Sequence, residues 1–196
     1  MAATVLLYPG AGSDSSHPSL RAIERAVAPA KCVRADFPYR REGRRAPDRA
    51  PKLMAAIRDE IASLGKGALV MGGRSMGGRI CSMVAAGVDR EPPPPKLAGL
   101  VLISYPLHPP GKPDQLRVEH LPDVRVPCLF VSGTRDPFGS PDELTAWTAT
   151  ISAPVTHVWI EGGRHDLKGA DGTIADAVAT FVKSVVAPAP RRPRMR

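Results

Sequence analysis

Apolar and polar positions alternate in blocks along this chain of 196 residues. Six short runs are almost entirely apolar, which is typical of strands buried on both faces of a parallel sheet. These predicted strands cover residues 4–8, 31–37, 68–72, 99–104, 128–133 and 156–161. Between them, apolar residues recur every three or four positions, a spacing that predicts helices. The predicted helices cover residues 18–29, 51–64, 76–88, 140–150 and 172–186.

The alternation of strands and helices predicts an α/β fold, with a mainly parallel six-stranded sheet and helices on both faces. Ligands of such sheets lie beyond the carboxyl ends of the strands, so we expect the chemistry in the loops that follow the strands. The length suits one domain, which we assign to residues 1–186. Residues 187–196 are then predicted to form a basic, Pro/Arg-rich disordered tail.

Composition places the chain among ordinary globular proteins, with 43% hydrophobic and 23% charged residues. Its three cysteines, Cys32, Cys81 and Cys128, lie far apart in apolar segments, which is typical of buried thiols rather than of disulfides or a metal site. The first residues lack a basic signal-peptide region, and no apolar run approaches the roughly 20 residues of a membrane span. We therefore expect a cytoplasmic protein with no membrane partner, and leave its oligomeric state open.

The net charge of +8 is concentrated in two segments. Residues 34–52 carry seven basic and three acidic side chains, and residues 187–196 carry four arginines and no acid. We interpret the second segment as a solubilising end, with an interaction arm as the alternative. The tail lacks the aromatic residues that stack on bases, and we do not expect a nucleic-acid partner.

The stretch "GGRSMGGR" at residues 72–79 contains the pattern G-x-S-x-G, formed by Gly73, Ser75 and Gly77. It follows a predicted strand and precedes a predicted helix, which is the context of a nucleophile elbow. Such an elbow raises the serine hydroxyl above the sheet and places the Met76 N–H at the helix start, where an anionic oxygen is favoured. We predict Ser75 as a nucleophile. A glycine-rich turn that serves only packing is the alternative.

A serine nucleophile needs a histidine base, and that base needs a carboxylate to orient it. The chain has five histidines, at His17, His108, His120, His157 and His165. His165 follows the last strand after two glycines, so its loop can return over the sheet to Ser75. His157 lies within a strand and His120 in a polar loop. We therefore select His165 as the base.

The acid should follow the preceding strand, where "SGTRDPFG" places Asp136. Asp142 begins a predicted helix and is interpreted as part of its first turn. Asp166 adjoins His165 and cannot readily fold back onto its neighbour's ring. The predicted catalytic triad is therefore Ser75, Asp136 and His165, in that order along the chain.

The stretches "YPGAGSDSS", "FPYR", "GGRSMGGR", "SYPLHPPGKP", "SGTRDPFG" and "GGRHDL" together resemble the α/β-hydrolase family, from Val5 to about Val186. The resemblance is strongest to a small lidless bacterial branch, similar to testis-expressed protein 30 and dienelactone hydrolase-like proteins. It implies the triad order found here and the strand order 2-1-3-4-5-6. The first strand would correspond to the third of larger members, and residues 105–127 are too few for a cap domain.

The resemblance also implies an oxyanion hole made by two backbone amides. One is the N–H of Met76. The other comes from the loop after the first strand, where Gly10, Ala11 and Gly12 are the candidates and Ala11 is our choice. Gly10 and Gly12 are also candidates for substrate binding. Glycine in this loop allows the backbone to approach a ligand closely. The family often has His-Gly where this chain has Pro9 and Gly10.

Two further residues are candidates for substrate binding, and each has a structural alternative. His108 follows the fourth strand on the same rim as Ser75, where it lines the pocket or contacts a substrate carboxylate, or else only fixes the loop between its prolines. Arg74 adjoins Ser75 and either forms an ion pair beneath the loops or presents its charge to an anionic substrate.

Our leading hypothesis is a serine hydrolase that cleaves small carboxylic esters or thioesters through an acyl-enzyme, with no cofactor or metal. Without a cap the pocket should be open and shallow, which argues against long-chain lipids. One alternative is a non-catalytic interaction module whose basic segments bind an acidic partner. Another is a nucleotide-binding Rossmann-type protein, since "GAGSDS" at residues 10–15 imitates part of a dinucleotide fingerprint and Asp36 stands where a ribose-binding acid would.

Overall fold

The computed structural model describes residues 3–187, so the predicted tail lies outside the described residues except for Ala187. Six strands form one sheet, in which every neighbouring pair is parallel. The strands are β1 (Ala3–Tyr8), β2 (Lys31–Arg34), β3 (Ala68–Arg74), β4 (Leu97–Ile103), β5 (Cys128–Gly133) and β6 (Val155–Ile160). Their order across the sheet is β2-β1-β3-β4-β5-β6. The predicted α/β fold class and strand order are confirmed.

In the part of the chain that the structure describes, five helices lie between the strands and a sixth follows β6. They are α1 (Pro18–Ala26), α2 (Pro38–Arg41), α3 (Ala50–Ser63), α4 (Met76–Ala85), α5 (Pro141–Thr148) and α6 (Asp171–Val186). Buried residues of α1 and α6 pack on one face of the sheet, and those of α3, α4 and α5 pack on the other. Among residues 3–187, none of these helices is long and apolar enough to cross a membrane.

The sheet is apolar on both faces, as the continuous apolar runs predict. In β1, Leu6 and Tyr8 face the layer of α3 and α4, whereas Val5 and Leu7 face the layer of α1 and α6. All four side chains are at most 1% exposed. Burial of a side chain of this size contributes about 1.5–3 kcal/mol to folding. The two layers therefore hold the carboxyl ends of the strands in a fixed arrangement.

Several element boundaries differ from the sequence prediction for local reasons. β2 ends at Arg34 instead of residue 37, because Pro38 begins the short helix α2, which the apolar pattern did not predict. β3 continues two residues beyond its predicted end, to Arg74. α4 ends at Ala85, before Gly87, whose φ of 72° is typical of a helix C-terminus.

Residues 104–127, between β4 and β5, contain a single 3-10 turn at Leu121–Asp123. Helix α5 begins at Pro141, one residue after its predicted start, because Ser140 is the cap: the Ser140 and Glu143 side chains each accept a hydrogen bond from the other residue's backbone N–H. Because all six strands are parallel, the loops after β1, β3, β5 and β6 lie at the same edge of the sheet, where the triad residues were predicted.

Candidate active site

Ser75 occupies a tight turn between β3 and α4. Its φ of 47° and ψ of −118° lie outside the regions that non-glycine residues ordinarily adopt. Its N–H donates to the Ile103 carbonyl of β4 at 2.7 Å, which extends the sheet pairing through the turn. The next residue begins α4, so the backbone reverses within one residue and Ser75 lies at the carboxyl edge of the sheet.

Glycines make this turn sterically feasible. A Cβ at Gly73 would lie 1.9 Å from the Tyr8 carbonyl oxygen, and a Cβ at Gly77 would lie 2.5 Å from that same atom. Gly72, which the motif does not include, has the same constraint, since a Cβ there would lie 1.8 Å from the Val101 oxygen. The strand–turn–helix unit therefore packs against its two neighbouring strands only because these side chains are missing.

The structure brings Ser75, His165 and Asp136 together in a continuous chain of hydrogen bonds. His165 Nε2 lies 2.9 Å from Ser75 Oγ. On the other side of the ring, His165 Nδ1 lies 2.8 Å from Asp136 Oδ2 and 3.0 Å from Oδ1. A carboxylate can only accept, so Nδ1 carries a proton and Nε2 is free to accept the hydroxyl proton of Ser75. This is the geometry in which a histidine acts as a base toward serine.

Phe138, which the sequence did not single out, contacts both Asp136 and His165. Its backbone N–H donates to Asp136 Oδ1 at 2.9 Å, and its ring stacks on the His165 imidazole with centroids 3.9 Å apart. Asp136 itself is 6% exposed. The carboxylate and the imidazole are thus fixed by contacts outside the three residues. The available signal was its position two residues after the acid, within a turn that Pro137 shapes.

Arg74 holds the loop that carries His165. Its side chain is 5% exposed, and its guanidinium donates to the carbonyls of His165 at 3.2 Å and Asp166 at 2.9 Å. A third hydrogen bond reaches Ser19 Oγ at 3.4 Å. Burial lowers the pKa of Arg74, against the attraction of nearby carboxylates. Of the two alternatives for Arg74, the ion pair is not formed within the described residues: its guanidinium instead contacts two backbone carbonyls of the histidine loop and the Ser19 hydroxyl.

The two predicted oxyanion amides come from segments next to Ser75, the start of α4 and the loop after β1. Met76 is the first residue of α4, so its N–H has no acceptor within the helix. On the loop after β1, a Cβ at Gly10 would lie 3.5 Å from Ser75 Cβ, which places this loop against the nucleophile. The buried Tyr39 donates its hydroxyl proton to the Ala11 carbonyl at 2.9 Å. That hydrogen bond fixes the peptide unit that joins Ala11 to Gly12, whose N–H is that of Gly12; the Ala11 N–H belongs to the preceding unit.

A cleft of about 650 Å³ opens beside Ser75. Its lining residues are Gly10, Ala11, Gly12, Ser13, His17, Arg74, Ser75, Met76, Arg79, Pro106, Arg117, Phe138, His165 and Asp166. The volume lies within the range of small-molecule sites. The predicted residues Gly10, Gly12 and Arg74 therefore do line the cleft, together with two arginines and a histidine that the sequence analysis did not select.

Two alternatives were open for His108, and the structure favours the structural one, because among the described residues its side chain is not part of the cleft lining. Its side chain is buried behind the rim, with Nδ1 2.9 Å from the Pro109 carbonyl oxygen and Nε2 3.5 Å from Glu143 Oε1. Its backbone N–H donates to the Phe138 carbonyl at 3.1 Å. The structural alternative holds, since the ring and backbone fix the loops after β4 and β5 to each other.

The features that suggested a nucleotide site are satisfied internally. Asp36 accepts hydrogen bonds from the N–H and the hydroxyl of Ser15, each at 2.7 Å. The acid thus closes the loop after β1 instead of facing a ribose.

Among residues 3–187, no three histidine, cysteine or acidic side chains cluster as metal ligands would. Cys81 and Cys128 are buried free thiols, and Cys32 is half-buried.

Comparisons with known proteins agree with this architecture. The model of a family described as "Alpha/beta hydrolase domain" matches residues 1–186. Among solved structures, Est1E from Butyrivibrio proteoclasticus has a TM-score of 0.73 at 16% identity, covering 95% of this chain and 89% of that one. A dienelactone hydrolase from Anabaena variabilis has a TM-score of 0.74 at 18% identity, covering 95% and 88%. An alpha-beta serine hydrolase homologue from Coxiella burnetii has a TM-score of 0.70 at 18% identity, covering 92% and 85%.

Proposed function

Because this chain belongs to the α/β-hydrolase family, we propose that it is a serine hydrolase that cleaves small carboxylic esters or thioesters. The observation that carries the proposal is the chain of hydrogen bonds from Ser75 through His165 to Asp136, at 2.9 and 2.8 Å. Ser75 is the nucleophile, His165 the general base and acid, and Asp136 the carboxylate that orients the imidazole.

The first half of the reaction forms an acyl-enzyme. Ser75 Oγ attacks the substrate carbonyl carbon while its proton passes to His165 Nε2. The negative charge that develops on the carbonyl oxygen is stabilised by the N–H groups of Met76 and Ala11, and by the positive end of α4. The tetrahedral intermediate then collapses. His165 returns the proton to the departing alcohol or thiol, and the acyl group remains esterified to Ser75.

The second half releases the acid by the same steps. A water molecule gives its proton to His165 Nε2 and attacks the acyl carbon, and the oxyanion forms again between the two amides. Collapse of this intermediate returns the proton to Ser75 Oγ. Throughout, the Asp136 carboxylate stabilises the imidazolium by accepting a hydrogen bond from Nδ1, which lies 2.8 Å from its Oδ2.

The shape of the site favours small substrates. The cleft is about 650 Å³ in volume and opens at the edge of the sheet. A cap domain would be inserted after β4. In the described chain, the segment there, residues 104–127, contains only the short turn Leu121–Asp123. A long acyl chain would extend beyond a cleft of this volume, and the short segment after β4 would not cover it.

Covalent labelling tests the proposal directly. A fluorophosphonate probe should attach to Ser75 in the wild type, as shown by intact mass and peptide mapping, because only an activated serine reacts with it. Labelling should vanish in Ser75→Ala and in a folded His165→Ala variant. Ser13→Ala, which removes another hydroxyl from the same cleft, should leave labelling unchanged. Well-folded wild type that takes up no probe at Ser75 would overturn the proposal.

A further inference from the structure

The cleft beside Ser75 is strongly cationic. Its lining contains three arginines, Arg74, Arg79 and Arg117, against one acid, Asp166. Arg74 is committed to the carbonyls of the histidine loop. Among residues 3–187, neither of the other two arginines has a carboxylate oxygen within 4.0 Å. Two cations of the cleft are thus available to an external anion.

Arg79 is partly removed from water without an anionic partner. It lies on α4, one turn beyond Ser75, and is half-buried. Within the described chain, the hydrogen bond of its guanidinium goes to Met83 Sδ at 3.6 Å, and thioether sulfur is a weak acceptor. Burial lowers the pKa of Arg79, and the charge of Arg117 lowers it further. Desolvation and repulsion both disfavour this cation until an anion binds.

Arg117 is held beside Arg79 by its own backbone. The buried Tyr105 donates its hydroxyl proton to the Arg117 carbonyl at 2.7 Å. The Arg117 N–H donates to the Leu107 carbonyl at 2.9 Å. Three residues later, His120 Nε2 lies 2.8 Å from Ser82 Oγ, which ties the same segment to α4. These contacts fix the Arg117 backbone against the helix that carries Arg79.

We propose that Arg79 and Arg117 form an anion-binding subsite that selects esters or thioesters carrying a second, carboxylate group. The inference rests on the proposed function, because it names the substrate class of the same cleft. Guanidinium groups bind carboxylates through paired, charge-assisted hydrogen bonds, which neutral ester chains cannot replace. A carboxylate placed between the two arginines would offset their mutual repulsion and be attracted by the N-terminal end of α4.

Glu119 is the nearby acid that bears on this arrangement. Its charge raises the pKa of Arg79, yet its side chain is exposed and forms no ion pair with Arg79 within 4.0 Å. Solvent screens an exposed carboxylate, so Glu119 compensates the arginine charges only in part. Most of the positive potential therefore remains available to a bound substrate.

Paired ester probes test the subsite by turnover. On the acyl side, 4-nitrophenyl hydrogen glutarate is compared with 4-nitrophenyl pentanoate, which has the same chain length but no charge. On the leaving-group side, 4-carboxyphenyl acetate is compared with 4-carbamoylphenyl acetate. We expect kcat/KM for the charged member of one pair to exceed that of its neutral partner by about tenfold or more. The preferred pair identifies the side of the ester that the arginines contact.

Variants tie that preference to the two side chains. Arg79→Gln and Arg117→Gln should each reduce the charged-to-neutral ratio of kcat/KM by about tenfold, because each removes charge-assisted hydrogen bonds. Arg79→Lys should recover part of the ratio. Arg125→Gln, which changes an exposed arginine outside the cleft, should leave the ratio unchanged. Equal ratios in wild type and both glutamine variants would overturn the subsite.

A binding measurement separates this inference from the proposed function. Calorimetric titration of Ser75→Ala with the same probes needs no turnover. Tighter binding of a charged ester that is lost in Ser75→Ala/Arg79→Gln supports the subsite, even if the wild type hydrolyses none of the probes. Equal binding of charged and neutral members of both pairs overturns it, even if Ser75 is labelled by the fluorophosphonate.

Discussion

Two serines of the β3–α4 unit each contact a histidine from another part of the chain, and the chemistry of the two pairs differs. Ser75 Oγ lies 2.9 Å from His165 Nε2, and Ser82 Oγ lies 2.8 Å from His120 Nε2. The distances are almost equal, but the protons are arranged in opposite directions. The Ser82 hydroxyl donates to the Arg79 carbonyl at 2.8 Å, so His120 Nε2 must donate to Ser82. His165 Nε2 instead accepts, because its Nδ1 proton is directed to a carboxylate.

The comparison shows that contact between serine and histidine does not by itself create a nucleophile. Burial and the positive charge of Arg79 lower the pKa of His120 to about 4, so its ring stays neutral in the folded protein. Ser82 is fully buried, whereas Ser75 lines the cleft. The proposed site therefore differs from the structural pair in three respects: a carboxylate behind the ring, the direction of the serine proton, and access to substrate.

Removing the two hydroxyls should give the largest difference between the pairs. Ser75→Ala should lower kcat for a neutral ester by about 10⁴- to 10⁶-fold, since the nucleophile is lost. Ser82→Ala should change kcat only a few-fold and cost about 1–3 kcal/mol of stability, because it leaves the buried His120 Nε2–H and the Arg79 carbonyl without this partner. Steady-state kinetics and urea unfolding of both variants measure this. Comparable losses of activity would mean that the pairs are not functionally distinct.

Removing the acid should make His165 resemble His120. In Asp136→Asn the side-chain amide can donate to Nδ1, which moves the ring proton to Nε2 and blocks acceptance from Ser75. We expect kcat to fall by about 10³- to 10⁴-fold with little change in KM. Fluorophosphonate labelling of Ser75 should slow in parallel. If kcat stayed within tenfold of wild type, Asp136 would not set the orientation of the ring.

Loosening the histidine loop should have a smaller effect. Arg74→Met retains much of the side-chain volume but removes the donors to the carbonyls of His165 and Asp166. Displacement of the imidazole by about 1 Å should lower kcat by roughly a hundredfold. Arg164→Gln, which changes an exposed arginine in the same loop, is the matched control. Equal kcat values in the two variants would show that Arg74 does not position the base.

The smallest effect expected is on stability, from the titration of His120. The folded protein binds a proton there with a pKa of about 4, against an ordinary value of 6.5. The unfolded chain therefore takes up the proton first as the pH falls, and stability decreases from pH 7 toward pH 4. Between pH 7 and pH 5, protonation at this histidine should lower the free energy of unfolding by about 2 kcal/mol.

His120→Gln removes this titrating group and should reduce the pH dependence by that amount. The measurement is urea unfolding of both proteins at pH 7 and pH 5. A variant that loses as much stability as the wild type over this interval would contradict the assigned pKa. The same experiment on Ser82→Ala reports whether the hydroxyl contributes to keeping the ring neutral.

Sequence patterns were informative where a local rule applies. Continuous apolar runs predicted all six strands, because a strand buried on both faces requires apolar residues at every position. The glycines around Ser75 identified the turn, since a Cβ at Gly73 or Gly77 would overlap β1. The same rules missed α2, because four residues are too few to show a helical period.

Residues whose roles depend on a distant partner were harder to interpret. His108 precedes Pro109 in a promising loop, yet its ring lies beside Glu143 on a different element. Arg74 was considered for an ion pair or an anionic substrate, and its partners are backbone carbonyls 91 and 92 residues away. Arg117 carried no signal, because its neighbour Arg79 is brought to it only by folding.

The sequence by itself determined the fold class, the strand order through its resemblance to a family, and the choice of Ser75, Asp136 and His165 as candidates. These follow from periodicity, glycine placement and position relative to strands, which are local properties of the chain. Only the tertiary structure decided the direction of each proton, the role of Arg74 and the cationic lining of the cleft. Hydrogen-bond direction and desolvation depend on partners that meet in space, and the spacing of residues along the chain does not specify them.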